Sequence, residues 1–293
     1  MLKISEMVNI AKQHGYNEAN AEAKVCQDII LSLVSRSNFD KNITVKGGVV
    51  MRSISNDARR ATQDIDLDFI RYSLGDDSVR AFIQRLNSVG EVSIKITGPI
   101  EELKQQDYHG KRVNIEISDE DQTILKTKID LGVHKQLDIA QEEFCFDVGT
   151  DDEGVCLLIN SKEQMLTEKL RSILKFGSFS TRYKDIFDIF YLSDLIDPVK
   201  LKICFKHYIY DDTGMRENNI NDVIQRVEKT FADKTYIANL KRSKKNWLDQ
   251  DVSTVISRVT RIIRTSFLAT NIRHQFVKRL ECINILSSAF SCC

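Results

Sequence analysis

Several stretches of the sequence carry residue types that could do chemistry. Lys46-Gly47-Gly48 closes a strand-like run at 43–45. Two glycines there let the backbone turn sharply and bring its N–H groups close to an anion, and a helix N-terminus just after adds a positive dipole. A plain turn uses the same residues. After fifteen intervening residues, Asp64, Asp66 and Asp68 alternate with Ile65, Leu67 and Phe69. On a strand the aspartates share one face, with Asp64 and Asp66 about 7 Å apart along the chain. Carboxylates that close repel each other unless a cation sits between them or one is protonated. The pair therefore calls for Mg²⁺, or for exposure on a solvated strand face. Asp130, in Lys128-Ile129-Asp130-Leu131, interrupts apolar residues where an unpaired carboxylate is costly. Beside the D-x-D strand it would complete a three-carboxylate metal site; by itself it reads as a strand-end or loop residue.

Two more pieces lie further along. Glu168-Lys169-Leu170 falls inside an apolar-striped helix, and Arg182-Tyr183-Lys184-Asp185-Ile186-Phe187-Asp188 opens the next one. Asp185 and Asp188 share a helix face, with Arg182 one turn earlier, an arrangement that also suits an ion-pair network within the helix. Lys241-Arg242-Ser243-Lys244-Lys245-Asn246-Trp247 joins a charge cluster to an aromatic, able to grip a phosphate backbone and stack a base. Arg258, Arg261 and Arg264 recur at helical spacing and could extend that surface. A solvated helix face reads the same way.

The elements that must position these residues follow from periodicity. Apolar residues at helical spacing predict a helix over 17–35, and alternation predicts a strand over 65–70. A helix over 76–89 is ended by Gly90, and short β-type segments follow at 92–97, 112–117, 124–131, 143–148 and 155–159. Ser161 to Gln164 has capping-box spacing, and from there helices are expected at 161–175, 181–195, 219–231 and 252–268. The architecture expected is α+β: a mixed α/β domain over 1–160, then an all-helical domain over 161–293.

Composition sets the outer bounds. The chain has 293 residues, a length that suits two domains, and its 42% hydrophobic and 29% charged residues exclude a disordered tail protein. No apolar run approaches the ~20 residues of a membrane span, and residues 1–13 lack the apolar core of a secretory signal, so a soluble cytoplasmic protein is expected. The net charge of zero is uneven: residues 201–293 hold 16 Lys/Arg and 9 Asp/Glu, leaving 26 and 33 for residues 1–200. A basic half beside an acidic half fits one part that meets a polyanion and another that holds cations, although charge also fluctuates along any chain. The seven cysteines show no zinc spacing, and reduced thiols are expected.

Taken in order, the motifs resemble the AbiEii/AbiGii-type (MenT-like) family of nucleotidyltransferase toxins. Lys46-Gly47-Gly48 followed by Arg60, Thr62, Asp64, Ile65 and Asp66 is similar to that family's K-G-G … R-x-[S/T]-x-D-[I/L]-D signature. Glu168-Lys169-Leu170 resembles its E-K-L element, and 182–188 its R-x-K-D-[I/L]-[F/Y]-D element. Val49 stands where the family usually has Thr or Ser.

The resemblance implies a polymerase-β-like nucleotidyltransferase core with a mixed sheet, and a helical C-terminal domain that supplies Lys169 and Asp185. Two Mg²⁺ ions on Asp64, Asp66 and Asp130 are implied, with Asp130 also able to accept the proton of the attacking hydroxyl. Lys46, Gly47, Gly48, Arg60 and Arg182 are implied to bind the nucleoside triphosphate, and Lys169 to clamp its phosphates. The implied acceptor is RNA, in particular the 3′ end of tRNA, with Lys241, Arg242, Lys244 and Lys245 as weaker contacts and a cognate antitoxin as partner. A small-molecule acceptor, or a binding module that has lost catalysis, are the other readings.

Overall fold

The computed structural model describes residues 3–103 and 110–265. The chain divides into two compact units, Met1–Ser161 and a second that starts at Lys162.

In the first unit one mixed sheet is built from β1 (Ile43–Lys46), β2 (Ile65–Phe69), β3 (Ser93–Ile96), β4 (Glu101–Leu103), β5 (Gly110–Ser118), β6 (Ile124–Val133), β7 (Glu142–Val148) and β8 (Asp151–Ile159). Its order is β3-β5-β6-β2-β1-β8-β7, with β4 also paired to β5. The pairs β2/β6 and β1/β8 are parallel, and the remaining pairs are antiparallel. The sheet is mixed, as the resemblance implies.

Alternation sorts the sheet into two faces. Ile65, Leu67 and Phe69 of β2 are fully buried, with Ile129 and Leu131 in register on β6 and Val45 and Ile43 on β1. Against this side pack α2 (Glu18–Arg36) and α4 (Asp76–Val89), with α1 (Ile4–Gln13) on α2. α2 starts where the Asn17 side chain accepts from the N–H of Asn20 at 3.0 Å, and it buries Val25, Ile29, Ile30 and Leu33. α4 approaches α2 closely at its end: a Cβ on Gly90 would lie 2.3 Å from Cδ2 of Leu33. The opposite face carries the aspartates.

The cysteines correct one expectation. Cys145 and Cys156 form a disulfide instead of standing reduced. They occupy directly opposed positions of the antiparallel β7/β8 pair, a register that spacing in the sequence does not reveal. Cys26 and Cys204 are buried thiols, and Cys282, Cys292 and Cys293 lie outside the described residues.

The described part of the second unit is made of helices and turns: α5 (Lys162–Phe176), α6 (Tyr183–Leu192), α7 (Pro198–Phe205), α8 (Ile220–Ala232), α9 (Lys234–Arg242) and α10 (252–265). The caps explain where several begin. Asp197 accepts from the N–H groups of Val199 and Lys200, with Pro198 at the first helical position, and Asn219 caps α8 in the same way. Leu166, Leu170, Ile173, Ile186, Ile189, Phe205, Val227 and Leu240 fill the core. No helix among the described residues is long and apolar enough to cross a membrane.

Candidate active site

Register across the sheet builds the first cluster. Lys46 of β1 stands opposite Asp66 of β2, Asp66 beside Asp130 of β6, and Asp130 opposite Arg112 of β5. Residues in register on neighbouring strands share a face, so two carboxylates lie side by side between two cations. Asp68 lies two residues beyond Asp66 along β2, and Asp64 immediately before the strand's first residue.

Ion pairs order this row. The Lys46 ammonium lies 2.7 Å from Oδ1 of Asp68, and both side chains are buried. Arg112 donates through Nε and Nη2 to the two oxygens of Asp130, at 2.7 and 2.8 Å. Such a fork is the strongest common form of carboxylate pairing, and it raises the arginine's already high pKa. Lys128 Nζ lies 2.9 Å from Oδ1 of Asp64.

Asp66 is the exception in this balance. Loss of solvation pushes its pKa up, attraction to Lys46 pulls it down, and repulsion from Asp130, Asp64 and Asp68 raises it again, to about 6.

Gly47 opens α3 (Gly47–Ser55) with φ +68°, and a Cβ placed on it would lie 2.3 Å from Oδ2 of Asp66. The glycine thus leaves room for the carboxylate as well as making the turn. Gly48 leaves room for Thr62, whose Oγ1 would be 2.5 Å from an added Cβ. The loop that carries Thr62 is held from α2, where fully buried Gln27 donates to the carbonyl of Thr62 at 2.8 Å and, more weakly, to that of Asp64 at 3.4 Å. Gly47→Ala combines a left-handed backbone with a collision, so we expect a loss of about 1–2 kcal/mol from the backbone alone. Transfer activity should fall at least tenfold, checked by urea denaturation beside a transfer assay. Val49, Val50 and Met51 are fully buried, so Val49 faces the core.

Do these residues suit a divalent cation? Their oxygens are the hard donors that Mg²⁺ takes, and the unrelieved repulsion on Asp66 is what a cation would relieve. Yet among the described residues no three His, Cys, Asp or Glu side chains converge closely enough to hold a metal ion. The reason lies in the pairing above: Asp130, Asp64 and Asp68 each turn toward a basic side chain. The donor chemistry fits, in a conformation where Arg112 and Lys128 occupy the carboxylates.

The second cluster belongs to the helical unit. Lys169 of α5 reaches Asp188 at 2.7 Å and Asp185 at 3.3 Å, both on α6. Arg182 approaches the other oxygen of Asp185 at 3.9 Å. Asp188 is fully buried, and its Oδ1 accepts from Nε1 of Trp247 at 3.0 Å. This overturns the stacking role expected for Trp247: the ring is buried and packs against Tyr191, with centroids 5.4 Å apart. Lys241, Arg242, Lys244 and Lys245 are exposed as expected. Arg258 and Arg264 are engaged by Asp194 and Glu228, so they do not simply extend that surface.

From the sequence, Asp64, Asp66, Asp130, Lys169 and Asp185 are expected in one site; the structure sets Lys46, Gly47, Asp66 and Asp130 together on the sheet of the first unit, and Lys169 with Asp185 and Asp188 in the second. Arg60 is buried, and Arg182 is largely exposed. Arg112, Lys128, Gln27 and the pairing of Asp188 with Trp247 were missed. Of these, only Asp188 carried a local signal, its i, i+3 relation to Asp185.

Comparison with known proteins completes the picture. A crystal structure of an antigenic nucleotidyltransferase-like protein from Paracoccidioides brasiliensis is 15% identical, with 75% of this chain and 92% of that chain covered and a TM-score of 0.44, too loose a likeness to carry substrate or mechanism. No curated protein matches the chain. The family model described as nucleotidyl transferase AbiEii toxin, type IV TA system, matches residues 29–256, a span that takes in both clusters. The chain belongs to the AbiEii family of nucleotidyl transferase toxins of type IV toxin–antitoxin systems, and it is a nucleotidyltransferase.

Proposed function

We propose that the protein transfers a nucleoside monophosphate from a nucleoside triphosphate to an RNA acceptor, the 3′ end of tRNA, with Mg²⁺ on Asp64, Asp66 and Asp130, and that a cognate antitoxin counters it. The observation that carries this reading is the row Lys46, Asp66, Asp130 and Arg112 on one face of the sheet, directly before the Gly47-Gly48 helix start.

In this reading the N–H groups at the start of α3 receive the triphosphate, where the helix dipole favours negative charge. The acceptor hydroxyl attacks the α-phosphorus, the bond to the bridging oxygen breaks, and pyrophosphate leaves. Asp130 takes the hydroxyl proton, which requires Arg112 to release one of its oxygens. Bound Mg²⁺ would offset the charge of the triphosphate and make the hydroxyl more acidic. Lys46, held by Asp68, keeps a positive charge next to Asp66, and Arg60 is read as support for the nucleotide loop. Lys169, Asp185 and Arg182 enter through the family motif, Lys169 as a counter-charge for the phosphates.

The test is label transfer. The purified protein is incubated with Mg²⁺, each α-³²P-labelled nucleoside triphosphate in turn and total tRNA, beside Asp64→Ala. Label on tRNA from the wild type alone is the expected result. Charge reversal at Lys241, Arg242, Lys244 and Lys245 should lower that transfer at least tenfold and flatten its dependence on salt. Absence of label on any RNA, with label on a small molecule, would overturn the RNA acceptor and leave the transferase.

A further inference from the structure

The turn between α5 and α6 displays an exposed aromatic ring. Phe179, in the 3₁₀ turn Gly177–Phe179, is 89% exposed, and Phe176 before it is 49% exposed. A lone exposed apolar side chain is ordinary on a loose loop. This loop is fixed at both ends.

Gly177 is buried with φ +54°, and a Cβ there would come within 2.9 Å of the Arg226 guanidinium. Arg226 in turn donates through Nε to the carbonyl of Leu174, the last-turn residue of α5, at 3.0 Å. On the far side Ser180 is buried, with its Oγ 3.3 Å from Oγ of Ser172 and its N–H bonded to the carbonyl of Gly177 at 3.0 Å. The shape of the turn is therefore set by its anchors, and Phe179 projects from it.

The charges that lie near Phe179 in the sequence indicate its ligand. Lys175 is exposed, with its ammonium 5.9 Å from the Phe176 ring centre, and Arg182 is largely exposed three residues beyond Phe179. Aromatic faces with cations on either side are what a single strand of nucleic acid requires, since a base stacks while its flanking phosphates meet the cations. Arg182 also approaches Asp185, which shares Lys169, so the display leads directly into the motif cluster.

We propose that Phe179 is a stacking platform for an unpaired base of the acceptor strand, with Phe176, Lys175 and Arg182 flanking it. This rests on the RNA-acceptor reading above.

The test uses the full chain and two probes, a fluorescein-labelled 12-nucleotide single-stranded RNA and a fully paired duplex of the same length. By anisotropy, Phe179→Ala should weaken single-strand binding roughly tenfold or more and leave duplex binding unchanged. Phe179→Trp should restore affinity, and its indole emission should be quenched on adding the single strand. Because the side chain is exposed, the melting temperature of Phe179→Ala should match the wild type. Wild-type protein that binds neither probe would defeat the acceptor reading itself. Wild-type binding that Phe179→Ala retains in full, or loses equally for both probes, overturns the platform alone. In that case a polypeptide partner becomes the occupant to seek.

Discussion

Replacing Asp66 with Asn is expected to abolish nucleotidyl transfer and, in the same molecule, to raise thermal stability at neutral pH. The loss of transfer should be about a thousandfold or more, since an amide cannot supply the negative charge that this chemistry needs at the centre of the row. The gain in stability follows from the environment of the carboxyl. Its pKa lies near 6 in the folded chain, because lost solvation and three neighbouring carboxylates outweigh Lys46. In the unfolded chain it titrates near the ordinary aspartate value, about 4.

The sign is then fixed. Below about pH 4 the group is neutral in both states and costs nothing. As pH rises from 4 to 6 the unfolded chain ionises first, the folded state holds the extra proton, and stability falls. Above pH 6 the cost is complete, with a ceiling of about 3 kcal/mol for a shift of this size. Asp66→Asn removes that cost, so in the presence of a chelator it should melt ~5 °C above the wild type at pH 7 and within error of it at pH 4. A variant that melts lower at pH 7, or that still transfers nucleotide, would contradict this account of the row.

Removal of Asp188 should strongly destabilise the helical unit. Its carboxylate is fully buried between the Lys169 ammonium at 2.7 Å and the Trp247 indole N–H at 3.0 Å. Asp188→Ala takes the nearer counter-charge from Lys169 and strands a buried indole donor. Breaking one side of such a pair costs about 3–5 kcal/mol, most of it from what is left behind. Asp188→Asn keeps an acceptor for Trp247 and should cost less. Pairing it with Lys169→Met removes the stranded charge and should recover part of the loss. Urea denaturation of wild type, Asp188→Ala, Lys169→Met and the double variant gives the cycle, and an Asp188→Ala midpoint equal to wild type would show that the pair contributes nothing to folding.

Local features of the sequence carried much of the fold. The helix expected at 76–89 is α4, Asp76–Val89, because its apolar spacing and Gly90 stop both act within one element. β2 was visible because its alternation is complete. By contrast β4, three residues with two glutamates, has no pattern to read. What stayed hidden depends on register between distant strands: Arg112 opposite Asp130, and Cys145 opposite Cys156. Asp64 and Asp66 could be paired from spacing alone, but the basic partners of Asp64 and Asp130 could not. Trp247 misled for a related reason. Surrounded by lysines it reads as surface, and only the packing of α6 against its segment reveals the buried acceptor that claims it.

The parallel pairings also govern when the row can exist. β2 ends at Phe69, but its parallel neighbour β6 is not complete until Val133, and β1 waits for β8, which ends at Ile159. Contacts so far apart in the chain form slowly and only after the intervening segments are present. While the chain is being synthesised, Lys46 and Asp66 emerge long before Asp130 can stand beside them. A nascent or prematurely terminated product that stops short of β6 has the glycines and the D-x-D strand but not the row. On the reading proposed above, transfer that uses Asp130 cannot begin before β6 has left the ribosome.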